Sequence, residues 1–247
     1  MSIYTGFAPI YDELMTNIPY EKWGIYITNE LKERQILPPD SLILDLACGT
    51  GNMTLLLAEM GFDMIGVDIS ADMLAQAQKK AYEAGCGVLF LSQDMRKLDL
   101  YGTVDAVVCV CDGMNYILDA TELAAVFARL HLFLNPGGVF IFDMNTEYKY
   151  KELFGSRIFE ANVDGGATYE WENFYDADSK INEYHVVFND EFTEVHRQRA
   201  YGVSEIVELL KNAGFRHVSV YHDYTNEPVR VDTGRVTFVA DAAGLLA

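Results

Sequence analysis

The stretch "LILDLACGTGNMTLLLA", residues 42–58, constrains this chain more than any other. A short apolar run carries Asp45, a turn follows with small residues at Ala47, Gly49 and Gly51, and an apolar helical pattern begins directly after it. Small residues in such a turn let a ligand approach the backbone closely. A strand passing through a tight turn into a helix is also the opening unit of an open α/β sheet, with ligands received beyond the carboxyl ends of its strands. The turn alone leaves its visitor open: a phosphate, a nucleoside without phosphates, or another segment of protein.

The flanking pattern repeats the unit. Strands are expected at 42–47, 63–68, 87–92, 104–111 and 138–143, each nearly continuous in apolar residues, as strands covered on both faces are. Helices are expected at 52–60, 71–84 and 120–134, with Ser70 and Gly85 closing the ends of the second and Asp119 with Glu122 starting the third. This rhythm predicts a doubly wound, mostly parallel sheet. Before it, 20–36 reads as a helix stopped by Pro38-Pro39. After it the period changes to two: 157–201 reads as an antiparallel β-meander inserted into the fold. A helix at 204–213, with Ile206, Leu209, Leu210 and Ala213 on one face, and strands near 216–224 and 235–240 resume the α/β pattern. The expected organisation is therefore a cover and cofactor-binding core (1–146), a β insert roofing the site (147–201) and the closing part of the core (202–247).

Composition narrows the function. The formal net charge is −19, a field that repels nucleic acid and anionic membranes and suits a small or cationic acceptor. The amino terminus has no positive charge before Lys22, and no run approaches the roughly 18 apolar residues of a membrane span. Cys48, Cys86, Cys109 and Cys111 form no C-x-x-C pair, so free thiols in a reducing cytoplasm are expected, with neither disulfide nor metal. No oligomeric state is specified.

The phosphate alternatives can be tested on the turn. A dinucleotide fingerprint needs a third small residue, but that position is Thr54 counted from Gly49 and Asn52 counted from Ala47. No Gly-Lys-Ser/Thr follows, which removes a P-loop. Asp68, ending the second strand, stands where a carboxylate reaches ribose hydroxyls. The turn therefore suits a nucleoside without a pyrophosphate, and a nicotinamide-dependent oxidoreductase is disfavoured.

At these residues the chain resembles the class I S-adenosylmethionine-dependent methyltransferases. "LDLACGTGNMT" is similar to their glycine-rich motif with Ala47 in place of its first glycine, and "GVDIS", "SQDMR", "VDAVVCVCDGMNYI" and "LNPGGVFIFD" resemble the motifs that follow it. The resemblance implies a Rossmann-like methyltransferase sheet with an antiparallel last strand, S-adenosyl-L-methionine as cofactor and a small-molecule acceptor. It implies cofactor contacts from Asp45, Ala47, Gly49, Gly51, Asp68 and Ile69. It further implies Asp94 at the adenine amino group, Met95 against the ring, and Cys111 and Asp112 beside the sulfonium. The segment "FAPIYDELMTNIPYEKW" resembles a cover in which Tyr11 lies over the methionine part, with Tyr20 and Trp23 completing the wall.

An activated methyl needs no protein nucleophile and no metal, only an acceptor held in line with water excluded. Candidate catalytic residues are His196, His185 and Tyr11. An amine acceptor fits best, since no histidine or lysine occupies a core-motif position to deprotonate a hydroxyl. Asn115 and Tyr116 read equally as packing or site residues. Arg197 and Arg199 share a strand face with Tyr201 and read as a solvated face, with binding of an acceptor carboxylate as the alternative. Tyr169, Trp171, Tyr175, Tyr184 and Tyr201 supply aromatic area to the roof. The competing reading is a non-catalytic sensor of S-adenosylmethionine or its demethylated product.

Overall fold

The computed structural model describes residues 8, 11–155, 158–163, 167–188 and 192–243; for 14, 158–163, 167–169, 188 and 192 it describes the backbone alone. Two sheets organise it. The larger has seven strands: β1 (Leu42–Leu46), β2 (Asp63–Asp68), β3 (Leu89–Ser92), β4 (Val104–Cys109), β5 (Leu134–Asn145), β10 (His217–His222) and β11 (Arg235–Asp241), in the order β10-β11-β5-β4-β1-β2-β3. β1 runs parallel to both β2 and β4, so the winding reverses between β1 and β4. β11 runs antiparallel to β5 and to β10, which makes the last strand of the chain the antiparallel one.

Period-two alternation divides the core into two layers. Leu44, Val107, Phe140 and Phe142 face the layer holding α5 (Ala120–Phe133) and α6 (Val203–Asn212). Ile43, Val108 and Ile141 face the layer holding α2 (Tyr20–Glu33) and α3 (Asn52–Glu59). In the first layer Phe140, Phe142 and Phe238 stack in succession, with centroids 4.4 and 4.8 Å apart. α6 buries Ile206 and Leu210 completely, and Leu209 and Ala213 partly, as its stripe predicts.

Element ends follow local chemistry. Ser70 Oγ accepts from Met73 N at 3.3 Å to start α4 (Ala71–Ala84), and left-handed Gly85 ends it. Asp119 accepts from both Thr121 N and Glu122 N to start α5. The expected strand 104–111 stops at Cys109, because Cys111 and Asp112 both take positive φ and turn the chain out of the sheet. α2 stops at Glu33, short of the expected end.

The second sheet, in the order β6-β7-β8-β9, is an antiparallel meander of β6 (Ile158–Val163), β7 (Ala167–Asp176), β8 (Ile181–Phe188) and β9 (Phe192–Arg199). A π-helical turn at Lys149–Phe154, absent from the sequence reading, connects β5 to it. Its inner face packs Tyr150, Tyr184 and Val186 against Phe154, Trp171 and Tyr175. Among the described residues no helix is long and apolar enough to cross a membrane, and no group of three His, Cys, Asp or Glu side chains is placed to hold a metal.

Candidate active site

The turn after β1 is held open by its neighbour. Asp68, at the end of β2, accepts Gly49 N–H through Oδ2 and Ser70 N–H through Oδ1, both at 2.8 Å. Gly49 has φ +55°, and an added Cβ there would meet nothing nearer than Met73 Cε at 4.0 Å, so its open side is space. Gly51 differs: a Cβ would stand 3.0 Å from Ala77 Cβ, so this glycine serves the packing of the turn on α4. Ala47 takes φ +57° despite its side chain. Asp45 is fully buried beneath the turn, accepting from Thr54 Oγ1 at 2.5 Å, and burial pushes its carboxyl pKa up to about 7. Burial also raises Asp68, against its backbone hydrogen bonds.

A cavity of about 390 Å3 opens over this turn. Ala47, Gly49, Asp68, Ile69, Asp94, Met95, Cys111 and Tyr11 line it; Asp45 and Gly51 lie outside the lining, and Asp112 faces the neighbouring cavity. Asp94 caps the short turn Met95–Lys97 and is paired along its carboxylate edge with Arg96, Nη2 to Oδ2 at 2.6 Å. That pairing, more than the weaker opposition of burial, holds the Asp94 pKa below its usual range.

A second cavity of about 350 Å3 lies beside the first, under the roof. Tyr11, Cys111 and Tyr116 line both. Tyr11 belongs to the four-residue helix α1 (Tyr11–Leu14), whose Asp12 accepts from Thr50 Oγ1 at 2.6 Å, Asn52 Nδ2 at 2.9 Å and Lys80 Nζ at 2.7 Å. The cover is thereby fastened to the glycine turn and to α4. Tyr20 OH and Cys111 Sγ lie 3.5 Å apart, and burial pushes the Cys111 pKa up to about 11, keeping it a thiol.

The floor of the second cavity is an ionic network. Arg235 Nη1 bonds Asp143 Oδ2, and Arg235 Nη2 bonds Asp112 Oδ1 at 3.0 Å. Tyr224 OH donates to Asp143 Oδ1 at 2.7 Å, and Gln198 Nε2 donates to Asp112 Oδ2 at 2.6 Å. Burial opposes the charge on Asp112, but Arg235 and Lys149 outweigh it and lower its pKa. Trp23 lies under the Arg235 guanidinium at 5.1 Å and stacks on Tyr224, so it supports the floor.

The wall between the cavities includes β9, and its alternation assigns sides. Val195 and Arg197 line the first cavity; His196 and Gln198 line the second. His196 is buried, with Nδ1 at 3.2 Å from Tyr116 OH and Nε2 at 3.1 Å from Glu194 Oε2. His185 falls on the opposite face of β8, beside Glu183, outside both linings. Arg197 is exposed and paired with Glu183 at 2.9 Å; Arg199 bonds Leu118 O and lies over the Tyr201 ring. Asn115 is a staple: it accepts from Asn145 N and donates to Asn145 O and Arg199 O. Of the expected roof aromatics, Trp171 and Tyr184 line the second cavity, Tyr175 and Tyr201 do not, and the Tyr169 side chain lies outside the described residues. Sequence reasoning missed Asp12, Lys149, Gln198 and Arg235. Only Asp12, adjacent to Tyr11 in the cover segment, carried a local signal.

The residues over the turn fit an adenosine-type ligand: an uncrowded glycine, a carboxylate anchored by two amides, and apolar walls at Ile69 and Met95. A family model described as a methyltransferase domain matches residues 43–138. YqeM of Bacillus subtilis (strain 168), named as a methyltransferase, is 38% identical over 96% of both chains. A glycine/sarcosine N-methyltransferase of Halorhodospira halochloris is 26% identical, over 89% of this chain and 81% of its own length. The crystal structure of an S-adenosylmethionine-dependent methyltransferase from Clostridium acetobutylicum ATCC 824 superposes with a TM-score of 0.86 and 32% identity, covering 98% of this chain and 99% of that one. With the strand order, the glycine turn and these whole-length likenesses in agreement, the chain belongs to the S-adenosylmethionine-dependent methyltransferases.

Proposed function

We propose that this enzyme methylates a small-molecule amine, binding S-adenosylmethionine in the first cavity and the acceptor in the second. The observation that carries the reading is the shared wall of Tyr11, Cys111 and Tyr116, where the two cavities meet. The name of the Halorhodospira halochloris relative, an N-methyltransferase, supports an amine. Residues 1–146 and 202–247 then form the cofactor-binding body, and 147–201 the roof. The four unpaired thiols support a cytoplasmic setting.

When bound, S-adenosylmethionine supplies an electrophilic methyl: the amine lone pair forms the N–C bond while the S–C pair returns to sulfur. The protein's part is to hold and orient. Asp68 receives the ribose hydroxyls, Ile69 and Met95 flank the adenine, and Ala47 and Gly49 leave the turn accessible. Asp94 accepts from the adenine amino group when Arg96, 45% exposed, turns to solvent. Asp45 acts from below by fixing the turn through Thr54. Tyr11 and the roof exclude water. The amine proton passes to the Tyr116 oxygen as the tyrosine proton passes to His196 Nδ1, and Glu194 steadies the resulting imidazolium.

A panel of small amines assayed for S-adenosylhomocysteine release tests this reading, with calorimetric binding of S-adenosylmethionine alongside. We expect turnover of at least one amine, and for D68A a loss of cofactor affinity of about 10- to 100-fold. Cofactor binding without transfer to any amine would favour the sensor reading instead.

A further inference from the structure

Arg235 and Lys149 both line the second cavity, and they are engaged to different degrees. Arg235 is committed to Asp143 and Asp112, with Asp223 at 4.0 Å from Nε. Lys149, from the π-helical turn, has no carboxylate within 4.0 Å of Nζ among the described residues. Its ammonium donates one hydrogen bond, to the neutral Asn145 Oδ1 at 2.8 Å, and lies 5.3 Å from the Phe154 centroid. An ammonium has three donors, so two remain without an acceptor among the described residues. Asp112 and Asp223 act on this charge only from beyond hydrogen-bond distance, and burial lowers the Lys149 pKa, so a group that completes its shell would stabilise the ammonium.

The neighbouring polar groups cannot do so, because they are engaged with one another. Gln198 Oε1 receives Tyr150 OH at 3.0 Å and Tyr184 OH at 2.8 Å, while its amide is held by Asp112. Lys149 is thus the cation this cavity offers to an occupant. One ammonium, in a cavity whose floor already carries Asp112 and Asp143, suits a monoanion; a phosphate dianion would need a second unspent donor. Phe154, Trp171 and Tyr184 leave apolar wall for the remainder of the molecule.

We propose that the acceptor is an amino carboxylate: its carboxylate sits on Lys149 and its amine faces the junction of Tyr11, Cys111 and Tyr116. This inference rests on the amine-methylating reading above and names the class of amine. Lys149 is then the residue that selects the substrate, and its charge also disfavours a second cationic group at that end of the acceptor.

The test compares wild type, K149M and K149R on matched sets of α-amino acids, their amides and their decarboxylated amines, read by S-adenosylhomocysteine release. Calorimetry follows S-adenosylmethionine on each variant, and the amino acids on protein loaded with S-adenosylhomocysteine. We expect turnover confined to the acids and a KM raised about 10- to 100-fold in K149M. K149R should restore part of that loss, and cofactor affinity should stay unchanged in both variants. The proposal is overturned if amides or simple amines serve as well as the acids, if K149M leaves KM within about twofold, or if none of the amino acids binds the loaded protein. Failure of the parent reading looks different: S-adenosylmethionine binds the wild type but no acid, amide or amine of any set is methylated, and both ideas fall.

Discussion

Asp45 shows how one residue can belong to a site without facing it. Its side chain has no solvent contact, Oδ1 has no hydrogen-bond partner among the described residues, and burial raises its pKa to about 7 from 3.8. The folded protein therefore binds this proton more tightly than the unfolded chain does. The associated stability is present in full below about pH 4 and is lost as pH rises through about 7, amounting to at most ~4 kcal/mol. D45N cannot ionise, so its melting temperature relative to wild type should increase between pH 5 and pH 8; a parallel course of the two curves would contradict the burial argument. His196 makes the complementary case, a buried side chain that does line the proposed acceptor cavity. H196Q should lower kcat about 100-fold with S-adenosylmethionine affinity unchanged, measured by steady-state kinetics and calorimetry. Y116F should behave similarly if the relay runs through that hydroxyl.

Among the elements, the short helix α1 depends most on a single side chain. Asp12 gathers Thr50, Asn52 and Lys80 and so fastens the cover that carries Tyr11. D12A should speed S-adenosylhomocysteine dissociation about tenfold in stopped-flow measurements and expose the cover to limited proteolysis, with little change in melting temperature; K80M should do the same more weakly. The elements themselves were largely legible in the sequence, because doubly buried strands and capped helices write continuous apolar runs and end signals into the chain. The glycine turn and Asp68 were legible for a related reason: strand, turn, helix and strand keep them within one contiguous unit. The second cavity was legible only in part: Tyr11, Cys111, Asp112, Trp171, Tyr184 and His196 were candidates, but Asn145 with Lys149, Gln198 and Arg235 come from three further segments, and a pair such as Arg235 and Asp112 is made by sheet order, which no local pattern records. His185 and His196 looked alike as strand histidines; register alone put one outside and the other within.

For the whole molecule, the charge of −19 is a collective property that no single pair discloses. Self-repulsion of this size opposes the compact state and is screened within about 10 Å at 0.1 M salt. Raising sodium chloride from 20 to about 500 mM should therefore raise the melting temperature by a few degrees; a fall would mean that attractive ion pairs dominate instead. The chambers within that acidic body are separated in part by β9, where Val195 and Arg197 line the proposed donor chamber and His196 and Gln198 the proposed acceptor chamber. Such a partition makes the two recognition tasks separately heritable. Exchanges at 196 and 198 can retune what is methylated while the methyl donor is still held as before, so descendants of one ancestral donor site could diverge in diet without relearning how to hold their reagent.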